Sequence, residues 1–150
     1  MRIVIQRTKY ARCIIDGECV GGIDRGILAL IGINTGDDTK VIDTMLKKMS
    51  TLRIFEDEND KMNLSVTDIG GGILLIPNFT IYADARKGTR PSFAMGAKPD
   101  EAKTIFDEMV KRAKDTLDIR VESGVFQADM KIELLNDGPV TILLDSDKLF

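Results

Sequence analysis

The chain opens with a strict alternation. In "RIVIQRTKY", Ile3, Ile5 and Arg7 fall on one side and Val4 and Gln6 on the other, the period-two pattern of a strand. The following "ARCIIDGECVGGI" carries the turn signal Asp16-Gly17 between two such runs and predicts an antiparallel hairpin. If that turn sets the register, Cys13 faces Val20 and Cys19 faces Ile14. "RGILALIGIN" is apolar without interruption, so it reads as a central strand buried on both faces. After Asp37-Asp38 the period changes: Ile42, Met45, Leu46 and Met49 recur at helical spacing, predicting a helix over 38–52 with an acidic start. A second helix opens at Pro99-Asp100-Glu101, and Ala102, Ile105, Phe106, Met109, Val110, Ala113 and Leu117 form its apolar stripe. Strands near 73–82, 119–125, 130–136 and 139–145 complete an α+β pattern in one domain spanning 1–150, without internal repeats. A core-facing role is the ordinary explanation of both helical stripes.

Composition narrows the chemistry. The chain has 150 residues, 43% of them hydrophobic, enough for one proper core and too few for two domains. Its formal charge of −3 gives no overall positive field, so a polyanion must be met by a local basic patch. No apolar run approaches the roughly 18 residues of a membrane span, and the strand-like N-terminus is no signal peptide; both features point to the cytosol. Histidine is absent altogether. That removes the Ser-His-Asp and Cys-His triads and most zinc chemistry, leaving carboxylates, lysine, tyrosine, cysteine, backbone dipoles or the substrate itself. Cys13 and Cys19 do not oppose each other in the predicted hairpin and are too few for a zinc site, so they read as free thiols and no metal is expected. "EDENDKMN", 56–63, resembles a calcium-binding loop, but Lys61 and Met62 stand where an acidic ligand and the glycine belong, so it reads as a solvated turn. "GGG" at 70–72 lacks both phosphate-loop lysine and dinucleotide spacing and reads as a flexible approach to a strand.

Two segments insert rigid or polar residues into apolar strands. In "LLIPNFTIYADARKGTRPSF", a buried-looking strand carries Pro77, Asn78 and Thr80 and runs into Arg86, Lys87 and Arg90. This is either an edge strand with a solvated loop, or a site at a strand end whose basic entrance positions phosphates. In "LLNDGPVTILLD", Gly138-Pro139 interrupts two strand-like runs, as a tight turn or as a backbone tool aimed at a ligand. Spacing alone does not choose between these.

Taken in order, "MRIVIQR", "LRIFEDENDKMNLS", "RKGTRPSF" and "GVFQADMKIELLNDGPVTILLD" closely resemble the D-aminoacyl-tRNA deacylases, also called D-tyrosyl-tRNA deacylases, from Met1 to about Ser146. The resemblance implies a small, homodimeric β-barrel-like fold, an antiparallel or mixed sheet with two flanking helices. It implies chiral proofreading in the cytoplasm: hydrolysis of the ester between a D-amino acid, or glycine, and the tRNA 3′ end, without a cofactor and with no DNA or membrane partner. Carried over residue by residue, Gly138-Pro139 matches the family's Gly-cisPro pair, which reaches across the dimer and crowds out L-side chains; there a cis bond turns consecutive carbonyls to one side and the proline ring cannot flex away. Arg7 matches its brace; on residue type alone it is an exposed strand residue. Asn78, Phe79 and Thr80 match the catalytic segment, Pro77, Phe126 and Met130 the substrate pocket, and Arg86, Lys87 and Arg90 the tRNA-contacting loop. Pro77-Asn78 departs from the usual Ser-Gln: Asn keeps an amide one methylene shorter, and Pro loses a hydroxyl and an N–H. A related branch with proline there is associated with looser chirality, so deacylation of a small L-aminoacyl-tRNA is one alternative. A non-catalytic module that holds charged tRNA ends is another.

Overall fold

The computed structural model describes residues 1–149. Strand β1 (Arg2–Ile15) organises the sheet. Along one edge it pairs antiparallel with β8 (Lys131–Asp145) from Arg2↔Asp145 to Ile14↔Lys131. Its other edge is shared. Arg2 to Thr8 pair with β3 (Gly26–Gly32), and Ala11 to Ile15 pair with β2 (Glu18–Ile23). Strand β6 (Gly72–Pro77) then joins β3 in parallel, and β7 (Val121–Ser123) joins β6 in parallel.

Parallel neighbours need crossover connections, and these carry the two helices. Helix α1 (Thr39–Thr51) lies between β3 and β6 in the chain, and α2 (Pro99–Thr116) between β6 and β7. Asp38 caps α1, its side chain accepting from Val41 N at 2.9 Å, while Pro99 occupies the first turn of α2, where its missing N–H costs nothing. The faces that bury are those the spacing predicts: Ile42, Met45, Leu46 and Met49 on α1, and Ala102, Phe106, Met109 and Ala113 on α2. Arg112 of α2 ties the helices together by donating to Asp43 of α1 at 2.9 Å, and within α2 it donates to Glu108 at 2.6 Å.

Because β3 and β6 are apolar on both faces, the sheet has a core on each side. Ile27, Ala29, Ile31, Ile73 and Leu75 pack with the helices, whereas Leu28, Leu74 and Ile76 turn to a second cluster with Ala11, Cys13 and Ile23. That second cluster is the inside of a nearly closed barrel. The closure is tight: a Cβ on Gly21 of β2 would lie 2.8 Å from the Ser123 carbonyl oxygen of β7, so only glycine lets the two strands meet.

Four local expectations change. A bulge at Cys13/Ile14 sets Cys13 opposite Gly21 rather than Val20, while Ile14↔Cys19 stands as expected; both thiols are free. The strand expected over 73–82 ends at Pro77 and passes into a 3₁₀ turn, Phe79–Tyr82. The strand expected over 119–125 shortens to Val121–Ser123. The runs 130–136 and 139–145 are one strand, β8, and Gly138–Pro139 is a cis peptide within it. The acidic segment 56–63 joins two short strands, β4 (Phe55–Glu56) and β5 (Met62–Leu64). Asp57 spends its carboxylate inside the turn on Asn59 N, Lys61 N and Asn63 Nδ2, which holds it below the usual carboxylate range. Among the described residues no helix is long and apolar enough to cross a membrane.

Candidate functional site

A cleft of about 570 Å³ opens where β6 ends. Pro77, Asn78 and Phe79 line it together with Phe126, Met130 and Ile31. Five of the residues expected at a site therefore meet in one cavity, brought together by the β3–β6 pairing and by the segment preceding β8. Phe93 also lines it and packs edge-on against Phe79, with ring centroids 5.2 Å apart. Both rings are exposed, Phe79 to 65%. Phe93 was not singled out from the sequence, although it ends the quoted motif "RKGTRPSF"; an aromatic residue just after a basic loop was the available signal.

The strand gives way to the 3₁₀ turn because Asn78 bonds locally. Its Oδ1 accepts from Thr80 N at 3.2 Å and from Thr80 Oγ1 at 2.5 Å, an Asx cap that competes with continuing the ladder. Two consequences follow for the expected catalytic trio. Thr80 is absent from the cleft lining, and its hydroxyl donates to an amide oxygen, which has no capacity to take up a proton as a base. The Thr80 N–H is occupied, so the Phe79 N–H is the amide at the head of this turn without a protein acceptor among the described residues.

Arg7 is not an exposed strand residue. It is 4% exposed and its guanidinium is the hub between β1, β4 and β8. Nε donates to Asp137 O at 2.7 Å, and Nη1 to Ile54 O at 2.6 Å and Glu56 Oε1 at 3.0 Å. Gly138 and Pro139 are exposed and stand outside the lining of this chain's own cleft, as does Arg7. Gly138 adopts φ +154°, and a Cβ there would sit 2.7 Å from Val140 N, so an L-residue is refused twice.

The basic residues lie on a loop whose base is an antiparallel bridge, Asp84↔Ser92, immediately before Phe93. Arg86, itself exposed, pairs with Asp84, donating through Nε at 2.8 Å and Nη2 at 2.7 Å, and these bonds hold the Asp84 carboxyl at about 2. Lys87 and Arg90 are exposed. Among the described residues no three His, Cys, Asp or Glu side chains converge as a metal site.

Comparison with known proteins identifies the family and the fold. The family model described as D-Tyr-tRNA(Tyr) deacylase matches residues 4–145. The D-aminoacyl-tRNA deacylase of Kosmotoga olearia is 53% identical over 150 residues, and that of Clostridioides difficile 49%, each alignment covering 100% of both chains. Among solved structures, the c-Myc DNA Unwinding Element Binding Protein superposes with TM-score 0.91 at 34% identity, covering 97% of this chain and 98% of that one. A "probable eukaryotic D-amino acid tRNA deacylase" shares the fold with TM-score 0.76 at 16% identity, covering 95% and 97%. A nearly full-length family match, relatives at about half identity and a shared barrel together make this chain a member of the D-Tyr-tRNA(Tyr) deacylase family.

Proposed function

We propose that the protein hydrolyses the ester of D-aminoacyl-tRNA, releasing the amino acid and a free tRNA 3′ end, and that the cleft beside Pro77, Asn78 and Phe79 is where it does so. The observation that carries this reading is the Phe79 N–H at the head of the 3₁₀ turn, unoccupied among the described residues and beside a mostly apolar cavity. Water adds to the ester carbonyl, charge develops on the carbonyl oxygen, and a donor aimed at that oxygen lowers the barrier by several kcal/mol, about 3 for one such donor. The bond to the 3′ oxygen then breaks and that oxygen takes the proton.

The chain has no histidine to activate the water, and Thr80 has no base. No carboxylate, lysine, tyrosine or cysteine lines the cleft among the described residues, so the substrate's own 2′-hydroxyl, adjacent to the ester, is the group that assists attack. The exposed Gly138–Pro139 pair, held from behind by Arg7, acts in a partner subunit's cleft of a homodimer, where it excludes L-side chains and accepts D-residues and glycine. Lys87 and Arg90 meet the phosphates of the tRNA end, with Arg86 as the anchor of their loop. Its substrate is made in the cytoplasm, and that is where we assign its action.

A deacylation assay with D-Tyr-tRNA, Gly-tRNA and a small L-aminoacyl-tRNA tests the reading. Release of D-Tyr and Gly well above the protein-free rate is expected, and Thr80→Ala should stay within about threefold of wild type, since a threonine without a base contributes little. Equal release with and without protein would instead favour a binder of charged ends. Near-complete loss in a folded Thr80→Ala protein would overturn the substrate-assisted route.

A further inference from the structure

β1 and β8 are paired on both sides of an interruption, at Thr8↔Asn136 and at Gln6↔Thr141. Between those pairs β1 supplies Arg7 alone, whereas β8 supplies Asp137, Gly138, Pro139 and Val140. The surplus residues arch outward, and the feet of the arch must be tied or the loop swings. The first foot is tied by β1 side chains: Arg7 Nε to Asp137 O at 2.7 Å and Lys9 Nζ to Asp137 Oδ2 at 3.2 Å. The second foot is Val140, only 8% exposed, whose N–H and C=O have lost their opposite number on β1. Both are satisfied by one side chain. Asn136 Oδ1 accepts from Val140 N at 2.9 Å, and Asn136 Nδ2 donates to Val140 O at 3.2 Å.

We propose that Asn136 is a positioning residue for chirality: its carboxamide stands in for the missing peptide unit of β1 and clasps the Gly138–Pro139 arch shut. This rests on the reading of that arch as the wall that excludes L-side chains. A carboxamide carries the same donor and acceptor pair as a peptide group, on a side chain short enough to reach four residues ahead. Aspartate keeps the acceptor but has no donor, glutamine is a methylene too long, and alanine leaves both buried groups of Val140 unsatisfied. With the clasp open the arch is tied at Asp137 alone, and the Pro139 side moves while the cleft residues stay in place.

The test compares full-length wild type, Asn136→Ala and Asn136→Asp by amide hydrogen exchange at Val140 and by kcat/KM on D-Tyr-tRNA and L-Tyr-tRNA. In Asn136→Ala, Val140 exchange should accelerate about tenfold and the L-to-D ratio of kcat/KM should rise about tenfold, while kcat on D-Tyr-tRNA moves less than about threefold. Asn136→Asp, close in shape, should lie between the two and serves as the deciding variant if the alanine protein does not fold. An unchanged L-to-D ratio in either folded variant, or Val140 protection as in wild type, would overturn the proposal. A wild type that turns over both enantiomers alike would instead overturn the reading of the arch, and the exchange result alone then decides whether the clasp exists.

Discussion

Arg7 occupies a position that could pass for a solvent-facing arginine, yet three acceptors on two other segments surround its guanidinium. A lysine there keeps the charge but lacks the planar fork, so it cannot reach Asp137 O and Ile54 O together. Arg7→Lys should therefore destabilise the protein by about 2 kcal/mol in urea unfolding and also raise turnover of L-Tyr-tRNA; full stability with unchanged selectivity would remove Arg7 from the site. Asp84 offers a pH test. Its folded-state pKa of about 2 lies below the ordinary carboxylate value because Arg86 bonds the ionised form. The contact is thus fully present above the unfolded value and is lost as pH falls through the folded one. An NMR titration of the Asp84 carboxyl should find its midpoint near 2, and Arg86→Ala should bring it back toward normal; a midpoint near 4 in wild type would contradict the ion pair.

Helices and strands differed in how much they disclosed beforehand. The two helices were readable to within a residue or two, because Ile42 to Met49 and Ala102 to Ala113 repeat at 3.6 residues and each start is marked, by Asp38 and Pro99. β8 was not, since Gly-Pro is a turn signal locally and only the pairing of β1 on both sides of it makes one strand. The 3₁₀ turn was hidden by Phe79, Thr80, Ile81 and Tyr82, all strand-favouring residues, which a single Asx cap at Asn78 overrides. The site was legible in the same proportion. Pro77, Asn78 and Phe79 are contiguous, but the acceptors of Arg7 at Ile54 and Glu56 lie 47 and 49 residues away, beyond any local pattern. The closure of the barrel is likewise non-local and gives a separate expectation. Gly21→Ala should cost about 1–3 kcal/mol by pushing β2 from β7, and a neutral result in thermal unfolding would mean that the strands part without penalty.

With a net charge of −3, the chain has no overall positive field for RNA, and the proposed attraction rests on a local patch, the exposed Lys87 and Arg90. Replacing both by alanine should weaken tRNA binding and lower the slope of log affinity against log salt by about 1–2; an unchanged slope would assign the contact elsewhere. Sedimentation of the wild type should find a dimer, because the Gly138–Pro139 arch is exposed and outside its own cleft. The same arch has an effect on β8 that concerns every copy at once. Among the described strands β8 pairs with β1 only, so its outer edge is a template of up to fifteen residues on which further chains could zip end over end into fibres. The bulging residues cut that template into two short pieces, and exposed Lys131 and Glu133 add charge to one of them. Runaway edge-to-edge polymerisation is thereby blunted.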